Sequence, residues 1–165
     1  MRGIVISIAA FGCLLITVSG YSQMGMMDDR GMMQGRGMMR GGGMMNMSMI
    51  RHHFVMRNGI DPAYASKSNP LKPTDENIIN GKSLFEHNCT ACHGSSGLGD
   101  GEAGKSLNPR PANIAAFSKM PMATDGYLFW TIAEGGTPLG TAMPPFKSTL
   151  NEDDIWKIIL YLHEL

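Results

Sequence analysis

The chain has 165 residues and no formal net charge at pH 7, with 16 methionines, 21 glycines and three cysteines. This net charge of zero is the sum of a positive first part and a negative second part. Residues 1–73 carry a net charge of +5, from 8 Lys and Arg against 3 acids, and residues 74–165 carry −5, from 6 against 11. Nucleic-acid binding needs a basic face, so the acidic second half gives no support to a nucleic-acid partner. It suits a protein partner with a positive docking patch.

Residues 1–22 have the pattern of a secretory signal peptide. A positive charge at Arg2 precedes an apolar run from Ile4 to Val18, and small residues follow that run. The run is short for a transmembrane helix, which needs about 20 apolar residues. We therefore expect a periplasmic or otherwise exported protein. Retention of the leader as an uncleaved membrane anchor is the alternative.

Residues 23–49 form a low-complexity tail that is rich in Met and Gly, with 11 methionines and 7 glycines between Met24 and Met49. Methionine pairs recur every six residues, a period that fits neither a helix nor a strand. We predict a flexible tail or linker. Because thioethers are soft donors, we also consider Cu(I) binding by this tail, with His52 and His53 as added ligands. An adhesive tail, an oxidant sink and a neutral spacer are the other hypotheses.

Residues 50–73 bring back apolar side chains but are interrupted by breakers. Gly59, Pro62, Pro70 and Pro73 lie within 15 residues of one another. Such spacing interrupts regular elements. We predict an extended arm that lies against the folded domain.

Residues 74–165 predict an all-α domain with long loops. The first helix begins after Thr74 as its cap, with acids in its first turn, and runs up to the first cysteine of the domain. A second helix is predicted over Asp125–Glu134, followed by two glycines. A third follows the cap residue Asn151 and carries an apolar stripe. No stretch of the domain predicts a strand.

The segment Cys89-Thr90-Ala91-Cys92-His93 has the form Cys-x-x-Cys-His, the attachment signature of a c-type haem. Each thiol can form a thioether with one vinyl group of the same porphyrin, and the histidine then becomes an axial iron ligand. A zinc site would need a second ligand pair, and the remaining cysteine, Cys13, lies in the leader. A redox disulfide motif is expected near a strand–helix–strand pattern, which is not predicted here. We predict one covalently bound haem c, whose macrocycle supplies apolar interior that so small a domain lacks.

The same 92 residues resemble the small monohaem c-type cytochromes with His/Met ligation, often called class I. Gly81 and Phe85 precede Cys89 by eight and four positions, as in the first helix of that family. Further matches are Ile158 and Tyr161 on the last helix, and the loop segments at 97–101, 108–113 and 140–146. The resemblance implies a cytochrome c-like fold, with three or more helices and long loops around a covalently bound haem.

The resemblance also implies further site residues. In the family, the loop before the last helix delivers the distal methionine, which here is Met143. Met120 and Met122 are rivals that lack this position. The predicted metal ligands are therefore His93 and Met143.

Three further predictions concern the surroundings of the haem. Arg110 could pair with a haem propionate, and Trp130 could pack on the haem or bond a propionate. An exposed arginine and a core tryptophan are the alternatives. Pro109 or Pro111 could offer a backbone carbonyl to the second ring nitrogen of His93, and the sequence does not choose between them.

Taken together, these patterns predict an exported monohaem cytochrome c that carries single electrons between redox protein partners and is not an enzyme. The sequence has no Ser/His/Asp arrangement, paired carboxylates or phosphate loop that would indicate bond-making chemistry. One alternative is a copper-handling protein that uses the Met-rich tail together with the cytochrome domain. Another is a small haem enzyme whose sixth ligand can be displaced.

Overall fold

The structure, a computed structural model, describes residues 49–165. Within them the chain forms helices and no strand: α1 (Met49–Asn58), α2 (Pro62–Ala65), α3 (Asp75–Asn88), α4 (Thr90–His93), α5 (Ile114–Phe117), α6 (Asp125–Glu134) and α7 (Glu152–Leu162). The predicted all-α fold is confirmed. The predicted leader, residues 1–22, and all but the last residue of the Met/Gly-rich tail, 23–49, lie outside the described residues. None of the described helices has the length and apolarity needed to cross a membrane.

Side-chain caps begin the three longest helices of the domain. The hydroxyls of Thr74 and Thr124 accept the backbone N–H three residues later, each at 3.3 Å. Asn151 and Asp154 form a reciprocal capping box at the start of α7. Gly135, with a φ of 65°, follows the end of α6. These caps confirm where the sequence predicted the three helices to begin.

Helices α3 and α7 cross in close contact at Gly81. A Cβ atom at position 81 would lie 2.0 Å from the backbone carbonyl oxygen of Lys157, so only glycine allows this approach. One turn further along α3, Phe85 is fully buried and its ring centroid lies 5.4 Å from that of Tyr161. Most of the rest of the core comes from the buried faces of α6 and α7, including Leu128, Phe129, Ile132, Ile155, Ile158, Ile159 and Leu162. The crossing therefore joins the first and last helices of the domain around one core.

Just over half of the arm at residues 50–73 is helical, namely 50–58 and 62–65, so the prediction of an extended arm was wrong. Two of its breakers lie at helix boundaries, and Pro70 and Pro73 lie in the non-helical stretch that follows α2. Gly59, with a φ of 76°, follows α1, and Pro62 is the first residue of α2, where its missing N–H removes no helical bond. The side chain of Asp61 caps α2 by accepting the N–H of Ala63 at 2.9 Å. Residues 59–61 and 66–73 of the arm are not helical.

The arm packs against the core through its apolar side chains, among them Val55, Ile60, Tyr64 and Leu71. The ring of Tyr64 stacks on Phe129 with centroids 6.0 Å apart, and its hydroxyl donates a hydrogen bond to Glu134. Glu134 also accepts from Nζ of Lys147 at 2.8 Å. The hydrogen bond to this carboxylate is the main reason that the pKa of Tyr64 rises to about 12. A polar contact thus reinforces the apolar attachment of the arm.

Replacing Gly81 with Ala tests the helix crossing. In an exposed helix this change would stabilise the protein by about 1 kcal/mol through helix propensity. Here the new Cβ would overlap a backbone carbonyl, which cannot move aside as a flexible side chain could. We expect the free energy of unfolding in urea to fall by about 1–3 kcal/mol. Ser83→Ala, exposed on the same helix, should change it by less than about 0.5 kcal/mol. A more stable Gly81→Ala protein would contradict the crossing.

Replacing Tyr64 with Phe tests the attachment of the arm, because the ring stays on Phe129 while the hydroxyl is lost. We expect a loss of about 0.5–1.5 kcal/mol, measured as faster amide exchange in residues 49–65. A raised pKa means that the hydroxyl stabilises the folded state below pH 10 and stops doing so as the pH rises through about 12. The difference between wild type and variant should therefore vanish over that range. Tyr161→Phe is the control, and a pH-independent difference would contradict the assignment.

Candidate haem site

A cavity of about 250 Å³ lies between the helices and brings most of the predicted site residues together. Cys89, Cys92 and His93 line it, and so do Arg110 and Met143 from two later loops. Its other walls are largely apolar and include Phe85, Leu107, Ile114, Phe117, Leu128, Ile132, Phe146, Ile158 and Leu162. The helix crossing shapes this cavity, because Phe85 comes from α3 while Ile158 and Leu162 come from α7.

His93 is the last residue of the short helix α4, and a backbone hydrogen bond of 2.9 Å to Cys89 holds it in place. Its Nδ1 lies 3.1 Å from the carbonyl oxygen of Ala112. A carbonyl can only accept, so Nδ1 donates, and Nε2 of the neutral ring keeps the lone pair that a metal ligand needs. Burial lowers the pKa of His93, which favours this neutral form.

The partner of His93 differs from the two that the sequence offered. Pro109 and Pro111 both line the cavity, but the carbonyl that His93 uses belongs to Ala112. The position of this loop is set by a long-range contact, since the carbonyl oxygen of Gly97 accepts the N–H of Ile114 at 2.6 Å. The family motif does not specify which backbone carbonyl of this loop accepts the hydrogen bond from His93.

The two cysteines of the motif are free and half-buried at the cavity wall. Burial, and to a lesser extent the neighbouring Cys92, raises the pKa of Cys89 to about 12, so this thiol is neutral at physiological pH. In residues 49–165 no group of three or more His, Cys, Asp or Glu side chains could hold a metal ion. A zinc site needs such a set of donors. The pair of thiols therefore fits thioether formation better than a zinc site.

Backbone contacts with the end of α6 position Met143. Its carbonyl oxygen accepts the N–H of Gly136 at 2.8 Å and the hydroxyl of Thr137 at 3.2 Å. The loop also passes closely over Gly135, where a Cβ atom would lie 2.4 Å from the carbonyl carbon of Pro144. These contacts hold the loop at Met143, which lines the cavity.

The other candidates have clear positions. Of the three methionines considered as iron ligands, Met143 lines the cavity and Met120 and Met122 do not. Arg110 lines the cavity but is exposed, which places it at the rim.

Trp130 does not line the cavity, contrary to the prediction of a haem contact. On α6 the cavity is lined by residues that share one face, and Trp130 projects from another; the lining residues are Tyr127, Leu128, Thr131 and Ile132. Its buried ring lies near Phe54, and the guanidinium carbon of Arg51 lies 4.6 Å from the ring centroid.

Two residues of the arm also line the cavity, although the sequence analysis did not assign them to the haem site. Arg51 and His52 of α1 form part of the wall, although the sequence linked His52 only with metal binding by the tail. Arg51 is buried, with 9% of its surface exposed. The Nη1 atom of Arg51 is buried without a hydrogen-bond partner, and so is the Nδ1 atom of His52. No local pattern marks these residues, because their place depends on how the arm folds back.

The residues present fit haem c. The apolar walls suit a macrocycle, two thiols can form its thioethers, and an imidazole and a thioether are the usual axial donors of c-type cytochromes. The buried, unpartnered nitrogens of Arg51 and His52 suit the carboxylates that such a macrocycle carries, since leaving a buried donor unpaired costs about 1–3 kcal/mol.

Comparisons with known proteins agree with this geometry. Residues 76–162 match the family model described as cytochrome c oxidase, cbb3-type, subunit III. Among solved structures, the chain is similar to one from the Kuenenia stuttgartiensis reducing HAO-like protein complex, with 27% identity, a TM-score of 0.50, and coverage of 58% of this chain and 46% of that one. It therefore spans less than half the length of that solved chain. The comparison with curated proteins gave no match.

The family match covers more than half of the 165 residues. The chain therefore belongs to the family described as cytochrome c oxidase, cbb3-type, subunit III, and its resemblance to the class I c-type cytochromes is confirmed.

Proposed function

We propose that this chain is an exported monohaem cytochrome c that carries single electrons between redox protein partners. The family supports a role as a haem electron carrier. The main observation that supports this proposal is the composition of the cavity wall, because the Cys-x-x-Cys-His motif and Met143 line the same apolar space. When bound, haem c supplies a one-electron change at its iron.

The residues of the chain would tune and hold this group. His93 would serve as one axial ligand, kept neutral by burial and oriented by the carbonyl of Ala112. Met143 would serve as the other, and a thioether in that position raises the reduction potential. Backbone hydrogen bonds hold both residues, so their positions would change little during electron transfer. The largely apolar walls would limit the access of water to the bound group.

Protein partners are the expected donors and acceptors. The net charge of −5 over residues 74–165 favours a partner with a basic docking surface. The solved neighbour belongs to a protein complex, which supports a function in contact with other redox proteins. The leader pattern supports export, where thiols can be attached to haem outside the reducing cytosol. A copper-handling role for the Met-rich tail remains a hypothesis about residues outside the described part of the chain.

Covalent attachment of one haem is the first test of this function. The purified mature protein should exceed its polypeptide mass by one haem, and the haem should stay with the denatured chain on a gel. Replacing both Cys89 and Cys92 with Ala should remove it, because the thioethers can no longer form. Cys13→Ala, in the leader, is the matched control and should keep the full haem content. A polypeptide mass with two free thiols in the wild type would overturn the proposal.

The second test concerns the axial methionine. Met143→Ala should abolish the weak sulfur–iron absorption band, lower the reduction potential and let carbon monoxide bind the reduced protein quickly. Met120→Ala and Met122→Ala should leave all three properties unchanged. If one of these variants loses the band while Met143→Ala keeps it, the assignment is wrong. Fast carbon monoxide binding by the wild type would favour a haem enzyme with a displaceable ligand.

A further inference from the structure

We infer that Arg51, with His52 beside it, binds a carboxylate of the haem and thereby ties helix α1 to the cofactor. This inference rests on the proposed function, because it requires haem c in the cavity. A haem c has used its vinyl groups in the thioethers but keeps two propionate carboxylates. The predicted partner of a propionate was Arg110, which lies exposed at the rim, whereas Arg51 is buried in the wall.

Arg51 is held firmly but without a counter-charge. One guanidinium nitrogen, Nη2, donates to the backbone carbonyl of Gly135. The guanidinium carbon lies 4.6 Å from the ring centroid of Trp130, within the range of a cation–π contact. Both contacts orient the guanidinium, but a carbonyl and an indole are neutral groups. Its positive charge therefore stays uncompensated by either of them.

No acidic side chain in the described chain compensates Arg51 either. The ion pairs of residues 49–165 involve Lys67, Lys82, Lys105, Lys147 and His163. A guanidinium stays protonated in proteins, and burying a charge without a partner is costly. An anion in the cavity would remove that cost. A carboxylate suits best, because it can accept the fork of guanidinium N–H groups at Nη1.

His52 offers a second donor at the same wall. Its ring is half-buried and lines the cavity, and its Nδ1 is buried without a partner. The next residue, His53, is exposed and does not line the cavity. Arg57, on the same helix, is exposed and also lies outside the lining. The two cavity donors of α1 are thus adjacent, and they differ from the helix's other basic residues in being turned toward the cavity.

The same arginine links the carboxylate to the methionine loop. Gly135, whose carbonyl binds Arg51, is followed by Gly136, whose N–H holds the carbonyl of Met143 at 2.8 Å. A carboxylate on Nη1 would therefore be connected through one side chain to the loop that carries the proposed axial ligand. Loss of Arg51 should affect the haem potential as well as the docking of α1.

The test compares Arg51→Met with the matched control Arg57→Met, both in the haem-loaded full chain. Removing a nearby positive charge disfavours the reduced haem, so we expect Arg51→Met to shift the reduction equilibrium roughly tenfold, about 59 mV for one electron. The resonance Raman bands of the haem carboxylates should shift, and amide exchange in α1 should accelerate. The haem should stay attached by mass. Arg57→Met should leave the potential and the carboxylate bands unchanged.

Several outcomes would overturn the inference. Unchanged carboxylate bands and potential in Arg51→Met would show that no carboxylate contacts the guanidinium, and faster exchange alone would show only a structural bond to Gly135. Arg51→Lys, which keeps the charge but loses the fork, serves if Arg51→Met does not fold, and its carboxylate bands should also shift. His52→Ala should shift those bands and keep the sulfur–iron band, and loss of the latter would overturn the role of His52. A wild type without haem would instead overturn the proposed function.

Discussion

The contact between α3 and α7 at Gly81 is the constraint on which the site depends. It is a contact of backbone with backbone, so its distance cannot be adjusted by a change of rotamer. Phe85, four residues later on α3, and Ile158, next to the contacted residue on α7, both line the cavity. Cys89 follows the end of α3 and also lines it. If a side chain separated the two helices, the cavity wall and the attachment point would move together.

The loops around the cavity have little regular structure, yet hydrogen bonds to helices and to each other place their functional atoms. The ring of His93 is oriented by the carbonyl of Ala112, and the carbonyl of Met143 is held by the N–H of Gly136. The N–H of Phe146 likewise bonds the carbonyl of Ile132 in α6 at 3.1 Å. Buried backbone N–H and C=O groups need hydrogen-bond partners. These bonds therefore supply partners for the backbone of the loops and also fix the positions of the loops. The same bonds would keep the two proposed axial ligands in place during electron transfer.

Local signals in the sequence were enough to predict the long helices of the domain. Thr74 and Asn151 cap helices through contacts that span three residues, and such contacts can be recognised from spacing alone. The helices of the arm were missed because Gly59 and Pro62 were interpreted as interruptions, although Gly59 follows the end of α1 and Pro62 begins α2. A pattern of breakers does not say on which side of each breaker a helix begins.

The parts of the site that escaped prediction all depend on long-range contacts. Arg51 meets Gly135 across 84 positions of the chain, and His93 meets Ala112 across 19. Trp130 was wrongly predicted to contact the haem for the same reason. Its helix was predicted correctly, but packing decides which face of that helix lines the cavity. The Cys-x-x-Cys-His motif predicts the residue types that bind a haem. It does not predict which backbone carbonyl orients the histidine or which buried cation lies in the cavity wall.

The size of the domain explains why the arm should carry a buried arginine. A domain of 92 residues has a limited core. The apolar side chains that line the cavity of about 250 Å³ lack packing partners across that space. On the side of the arm, the buried Nη1 of Arg51 lacks a hydrogen-bond partner, which is a second cost. An apolar macrocycle with carboxylates would remove both costs at once, so the arm and the domain should gain their order from the same bound group.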